Sequence, residues 1–340
     1  MEQQILKELP DLLRILEGKK ILLVCGGSFD RLTIAESVLA LDPVRFGAFS
    51  PNPVYEDVCR GVDLFRRENC DAILAVGGGS AMDVAKCIKL FSGMNSGENY
   101  LKQEYADTGI LLAAIPTTAG TGSESTRHAV IYYRGEKQSV SHPSLVPQVT
   151  CLIPEVLTDL PVYQKKCTML DALCQAIESW WSVSATAESI GYSRIAMELI
   201  RDNWKAYVET GDRAAEILLA ANFAGRAINI TATTAAHAMS YKLTSLYGIP
   251  HGHAVALCLP EVWAEMKDVP ELQEVFSAFP VDGDWFCHLM AELDMGAPAA
   301  GDRAQELEIL ADSVNPLRLK NNPVPLDRDT LKAMYERILR

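Results

Sequence analysis

Polar residues in the second half of the chain have the types and spacing of a metal site. Asp171 and Gln175 lie four positions apart in a segment with helical periodicity, so both side chains project from one face. His237 and His251 follow in AAHAMSY and GIPHGHAV. One carboxylate and two imidazoles suit a divalent transition metal with an open coordination position. A single helical Asp or His is commonly a surface or core residue, and spacing does not separate His251 from His253.

Two polar loops have the composition of a nucleotide-binding site. The first follows the apolar run 72–76 and comprises Gly77, Gly78, Gly79 and Ser80, with Asp83 in the first helical turn. The second follows another apolar run and contains Thr117, Thr118, Thr121 and Ser123. Glycines let the backbone approach a ligand closely, and the N–H groups at a helix start bind a pyrophosphate. Both loops also fit ordinary helix starts, with Thr121 or Ser123 as the cap and Asp83 stabilising the helix dipole.

Composition and charge exclude several classes of protein. The chain has 340 residues, of which 49% are apolar and 22% charged, which is typical of a globular protein with room for two domains. Its net charge of −13 argues against a nucleic-acid partner. The start, MEQQILKELPDLLRIL, predicts a short amphipathic helix and not a signal peptide, and no apolar run could cross a bilayer. We therefore expect a cytoplasmic protein, with its nine cysteines as free thiols.

The order of apolar and polar segments predicts two domains. Strands are expected within 19–27, 44–49, 72–76 and 109–118, with helices over 29–41 and 54–67 between them. This alternation indicates βαβ units and a parallel sheet. The segment 127–142 predicts a hairpin around the turn RGEK, and from about residue 160 the periodicity is helical. We expect an α/β domain over 1–157 and an all-helical domain over 158–340.

Together these motifs resemble the iron-containing (group III) alcohol dehydrogenases along essentially the whole chain. The matching segments occur in the order of that family: AVGGGSAMDVAK, PTTAGTGSE, MLDALCQAIES, HAM followed by PHG, and NPVPLDRDTL. The resemblance implies an N-terminal Rossmann-like dinucleotide domain, a C-terminal helical metal-binding domain, and a cleft holding cofactor and metal. The implied reaction is hydride transfer between a nicotinamide and a small aldehyde or alcohol, with the metal as Lewis acid.

Carried over by position, the family's four metal ligands fall on Asp171, Gln175, His237 and His251. Gln175 stands where the family usually has histidine, and a neutral amide is a poorer ligand for a transition metal than imidazole. Related glycerol dehydrogenases use one Asp and two His, so the resemblance implies three or four protein ligands here. Fe²⁺ is the expected metal, with Zn²⁺ and Mn²⁺ as alternatives.

The region around the second histidine resembles one branch of the family. Tyr241 stands where many relatives carry a further histidine near the substrate, so Tyr241 and His253 are the expected proton relays. The segment HAMSYKLTSLYGIPHGHAVAL, with AGRAINIT upstream, resembles the phosphonoacetaldehyde reductases, which reduce phosphonoacetaldehyde to 2-hydroxyethylphosphonate. For such an anionic substrate Arg127 and Lys242 are candidate partners, although both also fit a solvated surface.

One position predicts the cofactor preference. Many NAD-using relatives carry an Asp shortly before the turn 51–53, where it accepts hydrogen bonds from the adenosine ribose. Alignment on that turn, which contains Asn52, places Gly47 at the position of the Asp. Without this carboxylate a 2′-phosphate is not repelled, so NADP(H) is the expected cofactor and NAD(H) the alternative. Ser50 or Arg45 would then contact the phosphate.

Two other functions are compatible with the sequence. 3-Dehydroquinate synthase shares the architecture and uses NAD only transiently, but its site is rich in Lys and Arg, of which this C-terminal half offers few. Gln175 also fits a nucleotide-binding relative that has lost its metal. Family members are often dimers or larger, so we expect a homodimer or a larger homo-oligomer.

Overall fold

The computed structural model describes residues 3–339. The chain divides between Leu160 and Pro161 into two compact units, an N-terminal unit and a C-terminal unit. The strands of the described residues all lie in the N-terminal unit, and the C-terminal unit is helical, which confirms the predicted fold class. No helix within residues 3–339 is long and apolar enough to cross a membrane. All nine cysteines are free, as expected.

The N-terminal unit is built on a parallel sheet. Its strands are β1 (Gln4–Leu6), β2 (Ile21–Cys25), β3 (Val44–Phe46), β4 (Ala72–Gly77), β5 (Leu111–Pro116), β6 (His128–Tyr133), β7 (Glu136–Ser141) and β8 (Val149–Cys151). Six of them form the sheet in the order β1-β8-β5-β4-β2-β3, with all pairs parallel. Strands β2 and β4 are apolar and buried almost throughout, which is typical of parallel strands covered on both faces.

The two polar loops leave the sheet side by side. Strand β4 pairs with β5 through to its last residue, where Gly77 lies opposite Pro116, and the N–H of Thr117 donates to the carbonyl of Gly77 at 3.0 Å. Both loops therefore start at the carboxyl ends of neighbouring strands, which is the edge where ligands bind in open α/β sheets.

Four helices belong to the N-terminal unit: α1 (Leu9–Leu16), α2 (Ala35–Leu39), α3 (Tyr55–Arg67) and α4 (Gly79–Phe91). Helix α4 starts directly after the glycine turn and is buried along most of its length. Even Lys86 and Lys89 are fully buried, so helix α4 is packed tightly within the N-terminal unit.

Three predicted elements differ from the structure. The first 16 residues were expected to form one helix, but Gln4–Leu6 is strand β1, because the sheet edge at β8 offers it backbone partners. The helix expected over 29–41 is a 3₁₀ turn, Phe29–Arg31, followed by the short helix α2. The hairpin is confirmed as β6 and β7, but these form a separate two-stranded sheet. Its turn is Arg134-Gly135, and both residues have the positive φ of a type I′ turn.

The C-terminal unit consists of ten helices within its described residues. They are α5 (Val162–Trp181), α6 (Ala187–Glu209), α7 (Ala214–Thr231), α8 (Ala235–Tyr247), α9 (His251–Met266), α10 (Pro270–Ser277), α11 (Gly283–Glu292), α12 (Arg303–Ser313), α13 (Pro316–Leu319) and α14 (Arg328–Ile338). Every residue of α5 from 169 to 181 is buried, which is typical of a central helix surrounded by others. Polar residues on α5 are therefore shielded from water.

The start of α9 lies directly against α5. A Cβ atom added at Gly252 would overlap the carbonyl oxygen of Cys167 and would lie 2.8 Å from the Cβ of Asp171. Only glycine allows this approach of the two backbones. The close contact fixes His251, the first residue of α9, beside Asp171.

Candidate metal centre and cofactor loops

Helix α5 carries a stripe of buried polar side chains. Asp171, Gln175 and Glu178 follow one another at i, i+4 and i+7, which places them on one face of the helix. Asp171 and Gln175 are each 4% exposed, and Glu178 is fully buried. A buried carboxylate is costly unless it is paired, so two on one stripe indicate a specific use.

The structure brings Asp171, His237 and His251 together. One potential ligand atom from each lies within 4.8 Å of the others. Nε2 of His237 is 3.3 Å and Nε2 of His251 is 4.0 Å from Oδ1 of Asp171. Ligands that share one transition metal at about 2.1 Å are themselves roughly 3 to 4 Å apart. The three atoms are thus spaced as they would be around one cation.

Two of these atoms are buried and form no hydrogen bond within residues 3–339. They are Oδ1 of Asp171 and Nε2 of His237. Buried polar atoms are normally satisfied, so this pair indicates that a further group belongs between them. A carboxylate oxygen and an imidazole nitrogen are donors for Fe²⁺ or Zn²⁺. The donor set therefore fits a divalent metal, and the 36% exposed side chain of His251 leaves one side of the cluster accessible.

Electrostatics within the cluster favour charged ligands. Burial opposes ionisation of Asp171, but the nearby side chains of His237 and Gln175 and the charge of His251 hold its pKa below the ordinary value. Burial also opposes protonation of His237, yet the charge of Glu178 and its hydrogen bonds raise the pKa of His237 to about 9. A metal has to replace that proton, so metal binding competes with protonation. Gln175 lies beside Asp171 and is hydrogen-bonded to it.

Sequence reasoning missed Glu178, which holds the imidazole of His237. Its Oε1 accepts hydrogen bonds from the Thr234 hydroxyl at 2.8 Å and from the backbone N–H of His237 at 3.2 Å, and its Oε2 contacts Nδ1 of His237. Trp181 in turn donates from Nε1 to the Thr234 hydroxyl at 2.8 Å. Because a carboxylate only accepts, Nδ1 carries a proton, which leaves Nε2 as the nitrogen that can bind a metal next to Asp171. Its position seven residues after Asp171 was the available signal.

Tyr241 lies beside the cluster, one turn after His237 on α8. Its ring is 5.4 Å from the ring of His251 and nearly parallel to it, with 5° between the planes. Arg318 of α13, which sequence reasoning also missed, places its Cζ 5.1 Å from the centre of the Tyr241 ring. Nη1 of Arg318 donates to the Tyr241 hydroxyl at 3.2 Å.

The structure separates His251 from His253. Nδ1 of His253 is hydrogen-bonded with the Tyr163 hydroxyl at 2.8 Å, and Nε2 donates to the carbonyl of Gly296 at 3.0 Å. Burial lowers the pKa of His253, which keeps it neutral between these partners.

Lys242 is five residues after His237, about 140° around α8, whereas Tyr241 is about 40° away.

The glycine turn and the second polar loop pack closely. A Cβ at Gly78 would lie 3.3 Å from Cγ2 and Oγ1 of Thr118, and one at Gly79 would lie 3.2 Å from Cγ2 of Thr121. The N-cap residue of α4 is Gly78, which has no side chain to cap the first N–H groups of the helix. Ser80 lies in the first turn of α4, and Thr117 begins the second loop. This geometry fits the expected pyrophosphate site.

Buried polar residues hold the second loop in place. Lys86 donates from Nζ to the hydroxyls of Ser123 and Thr126, each at 3.0 Å, and to the carbonyl of His128 at 2.8 Å. Ser123 donates to Asp83 at 3.3 Å. Burial raises the pKa of Asp83 to about 6 and lowers that of Lys86 to about 8. Asp83 is thus turned toward the loop, in a polar network that the sequence did not reveal.

Residues expected at the adenosine lie in β3 or shortly after it. A Cβ at Gly47 would be 2.8 Å from the carbonyl oxygen of Cys25, so a larger residue would require a backbone shift. Asn52 has φ of 56°, as expected in a tight turn. Arg45 forms two hydrogen bonds with Asp30, at 2.7 and 2.8 Å, and is therefore already engaged. Arg127, expected at the substrate, is half-buried before β6 in the N-terminal unit.

These features are those expected of an oxidoreductase, and comparison with known families agrees. The profile described as iron-containing alcohol dehydrogenase matches residues 1–154, and the profile for the C-terminal part of the Fe-containing alcohol dehydrogenase family matches residues 166–339. The chain therefore belongs to the iron-containing alcohol dehydrogenase family, as the sequence resemblance predicted.

Individual relatives include both alcohol dehydrogenases and aldehyde reductases. An NAD-dependent methanol dehydrogenase of Bacillus methanolicus is 32% identical over 279 residues, 76% of this chain and 71% of that protein. A phosphonoacetaldehyde reductase of Streptomyces viridochromogenes is 36% identical over 254 residues, 70% of this chain and 63% of that protein. The crystal structure of a sulfoacetaldehyde reductase from Bifidobacterium kashiwanohense with NAD⁺ superposes with a TM-score of 0.88 at 26% identity, covering 99% and 97% of the two chains.

Proposed function

We propose that this oxidoreductase is a metal-dependent aldehyde reductase whose metal is held by Asp171, His237 and His251. The cluster of these three side chains, with two buried atoms that lack hydrogen bonds within the described residues, is the observation that carries the proposal. Gln175 is the proposed fourth, weaker ligand, and Fe²⁺ is the proposed metal, before Zn²⁺ and Mn²⁺. The proposed cellular location is the cytoplasm, and the proposed assembly is a homodimer or larger homo-oligomer.

The proposed cofactor is NADP(H), before NAD(H), because Gly47 leaves no carboxylate to repel a 2′-phosphate. Its pyrophosphate would bind at Gly77, Gly78, Gly79 and Ser80, and the second loop would supply Thr117, Thr118, Thr121 and Ser123. Asn52 would lie near the adenosine, and Asp83 would support the second loop from α4. Arg45 would have to leave Asp30 to contact a 2′-phosphate.

The proposed substrate is a short aldehyde that carries an acid group, such as phosphonoacetaldehyde. Two of the relatives reported above, a phosphonoacetaldehyde reductase and a sulfoacetaldehyde reductase, support this class of substrate. When bound, the metal supplies Lewis acidity to the carbonyl oxygen and the reduced nicotinamide supplies the hydride.

The chain's own residues hold the ligands and deliver a proton. Glu178 fixes the ring of His237 and keeps its Nε2 lone pair directed at the cluster. Tyr241 is the proposed proton donor, because it lies against His251, while both nitrogens of His253 have partners. The proton goes to the carbonyl oxygen as the carbon accepts the hydride, which yields the alcohol.

The test is oxidation of NADPH and NADH, followed by absorbance after reconstitution with Fe²⁺ or Zn²⁺. Phosphonoacetaldehyde and acetaldehyde are the substrates. We expect metal-dependent turnover that is lost in His237→Ala together with bound metal, and retained in His288→Ala, which removes an exposed histidine. Turnover that is independent of metal, or the absence of any net oxidation of the cofactor, would refute the proposal. NADH oxidation as efficient as NADPH oxidation would refute the cofactor preference.

A further inference from the structure

Helix α13 brings an arginine to the edge of the metal cluster. The guanidinium of Arg318 stacks over the Tyr241 ring at 5.1 Å and donates to its hydroxyl at 3.2 Å. The Tyr241 ring lies 5.4 Å from that of His251. These two distances together set the upper limit for the separation between the guanidinium carbon of Arg318 and the centre of the His251 ring.

The segment that carries Arg318 is fixed by hydrogen bonds of its own. The Asn315 side chain accepts from the N–H of Leu317 at 2.9 Å, and its carbonyl accepts from the N–H of Arg318 at 3.0 Å. Asn321 donates from its amide to the carbonyls of Thr231 and Thr233, at 2.7 and 3.1 Å, just before α8. The arginine is therefore held in place from both sides.

Within residues 3–339 no carboxylate forms an ion pair with Arg318. Arg45, Arg328 and Arg337, in contrast, each form such a pair. The single recorded side-chain hydrogen bond of Arg318 uses one of five guanidinium N–H groups. In a chain of net charge −13, a half-buried cation without such an ion pair indicates a ligand of opposite charge.

We propose that Arg318, oriented by Tyr241, binds the acid group of the substrate and selects anionic aldehydes over neutral ones. This inference rests on the proposed function and names the residue that recognises its substrate class. In a two-carbon aldehyde the carbonyl oxygen and the acid group lie about 4 to 5 Å apart, by ordinary bond lengths. A substrate with its carbonyl at the cluster thus extends toward the arginine, whose planar fork suits phosphonate or sulfonate oxygens.

The arginine replaces the partners expected from the sequence. Lys242 follows Tyr241 but lies about 140° around α8 from His237. Arg127 lies in the N-terminal unit, whereas the cluster lies in the C-terminal unit. Arg318 is joined to the cluster through the ring of Tyr241, which lies against His251.

The test compares Arg318→Gln and Arg318→Lys with Lys320→Gln, which removes an exposed cation of the same turn. KM and kcat are measured for phosphonoacetaldehyde, sulfoacetaldehyde and acetaldehyde with the metal-reconstituted enzyme. We expect Arg318→Gln to raise KM for both anionic substrates about 10- to 100-fold and to leave KM for acetaldehyde within about 3-fold, whereas any change in kcat through Tyr241 should be similar for all three substrates. Arg318→Lys should recover part of the loss, and Lys320→Gln should resemble the wild type.

Binding of phosphonoacetate by calorimetry adds a readout that needs no turnover. It should weaken about 10-fold or more in Arg318→Gln and remain unchanged in Lys320→Gln. An unchanged KM for the anions, an equal loss for acetaldehyde, or unchanged phosphonoacetate binding would overturn the role of Arg318. A wild type that reduces acetaldehyde but neither anion would overturn it while leaving the reductase function intact. If no aldehyde is reduced, the proposed function fails, and phosphonoacetate binding alone decides whether Arg318 binds anions.

Discussion

Replacing Glu178 by glutamine should weaken metal binding without removing a metal ligand. Glu178 is fully buried and accepts from the Thr234 hydroxyl and from two N–H groups of His237. In Glu178→Gln the amide oxygen can still accept on one side, but an NH₂ group then faces Nδ1–H. His237 must therefore move its proton to Nε2, the nitrogen that points at Asp171, or rotate away.

The size of the effect follows from the bond that is lost. A hydrogen bond to a charged partner contributes about 1.5 to 3 kcal/mol, and carboxylates behind metal-binding histidines change metal affinity by roughly 10- to 100-fold. We expect a loss of that size for Glu178→Gln. Thr234→Val should cost only a few-fold, because it removes one acceptor contact of Glu178 and leaves both bonds to His237.

Competition with a chelator of known affinity measures the metal dissociation constant of each variant. Thr231→Val is the matched control, because its buried hydroxyl is hydrogen-bonded to Ser179 and to the carbonyls of Ala227 and Ala232. This control should lose about 1 kcal/mol of stability with unchanged metal affinity. A Glu178→Gln protein that binds metal within about 2-fold of the wild type would refute the argument that this carboxylate sets the orientation of His237.

Three further predictions concern other parts of the molecule. Gln175→His should tighten metal binding about 10-fold or more, since imidazole is the better ligand, and unchanged competition with a chelator would contradict a position for residue 175 at the metal. Gly252→Ala should lower the free energy of unfolding by about 1 to 3 kcal/mol through overlap with Cys167, whereas Gly191→Ala, with nothing within 4 Å, should not, as thermal unfolding would reveal. Burial lowers the pKa of Lys86 to about 8, so the unfolded chain binds more protons above that pH and stability gains as pH rises toward 10. Lys86→Met should remove this gain. The free energy of unfolding is measured with denaturant at pH 7 and pH 10, and an equal change between the two pH values in both proteins would contradict the prediction.

The sequence predicted an element correctly where the residues of that element alone indicate its structure. Strands β2, β4 and β5 are apolar runs that end at glycines or at a polar loop, so they could be placed from local pattern alone. Strands β1 and β8 have three residues each and are strands because they pair with each other and, for β8, with β5. No local pattern records such a partner, which is why the first was predicted as helix and the second was missed.

The same limit applies to the candidate site. Asp171 and Gln175 share one helix, so their relation followed from the helical period. The choice between His251 and His253 depends on where α9 begins and on the contact of Gly252 with α5. Arg318 reaches the cluster through Tyr241 from a helix of four residues, far along the chain. Its role depends on tertiary packing, which the spacing of residues does not encode.

The pairing of β1 with β8 has a consequence for synthesis on the ribosome. Gln4 is paired in register with Val149, so β1 emerges early but has no partner until β8 has been made. At ordinary elongation rates that interval is on the order of 10 s. Meanwhile β5 has β4 on one side and an unpaired edge on the other, where β8 will later bind. An apolar strand with such an edge invites pairing with other chains, so the half-made protein should depend on chaperones during this interval.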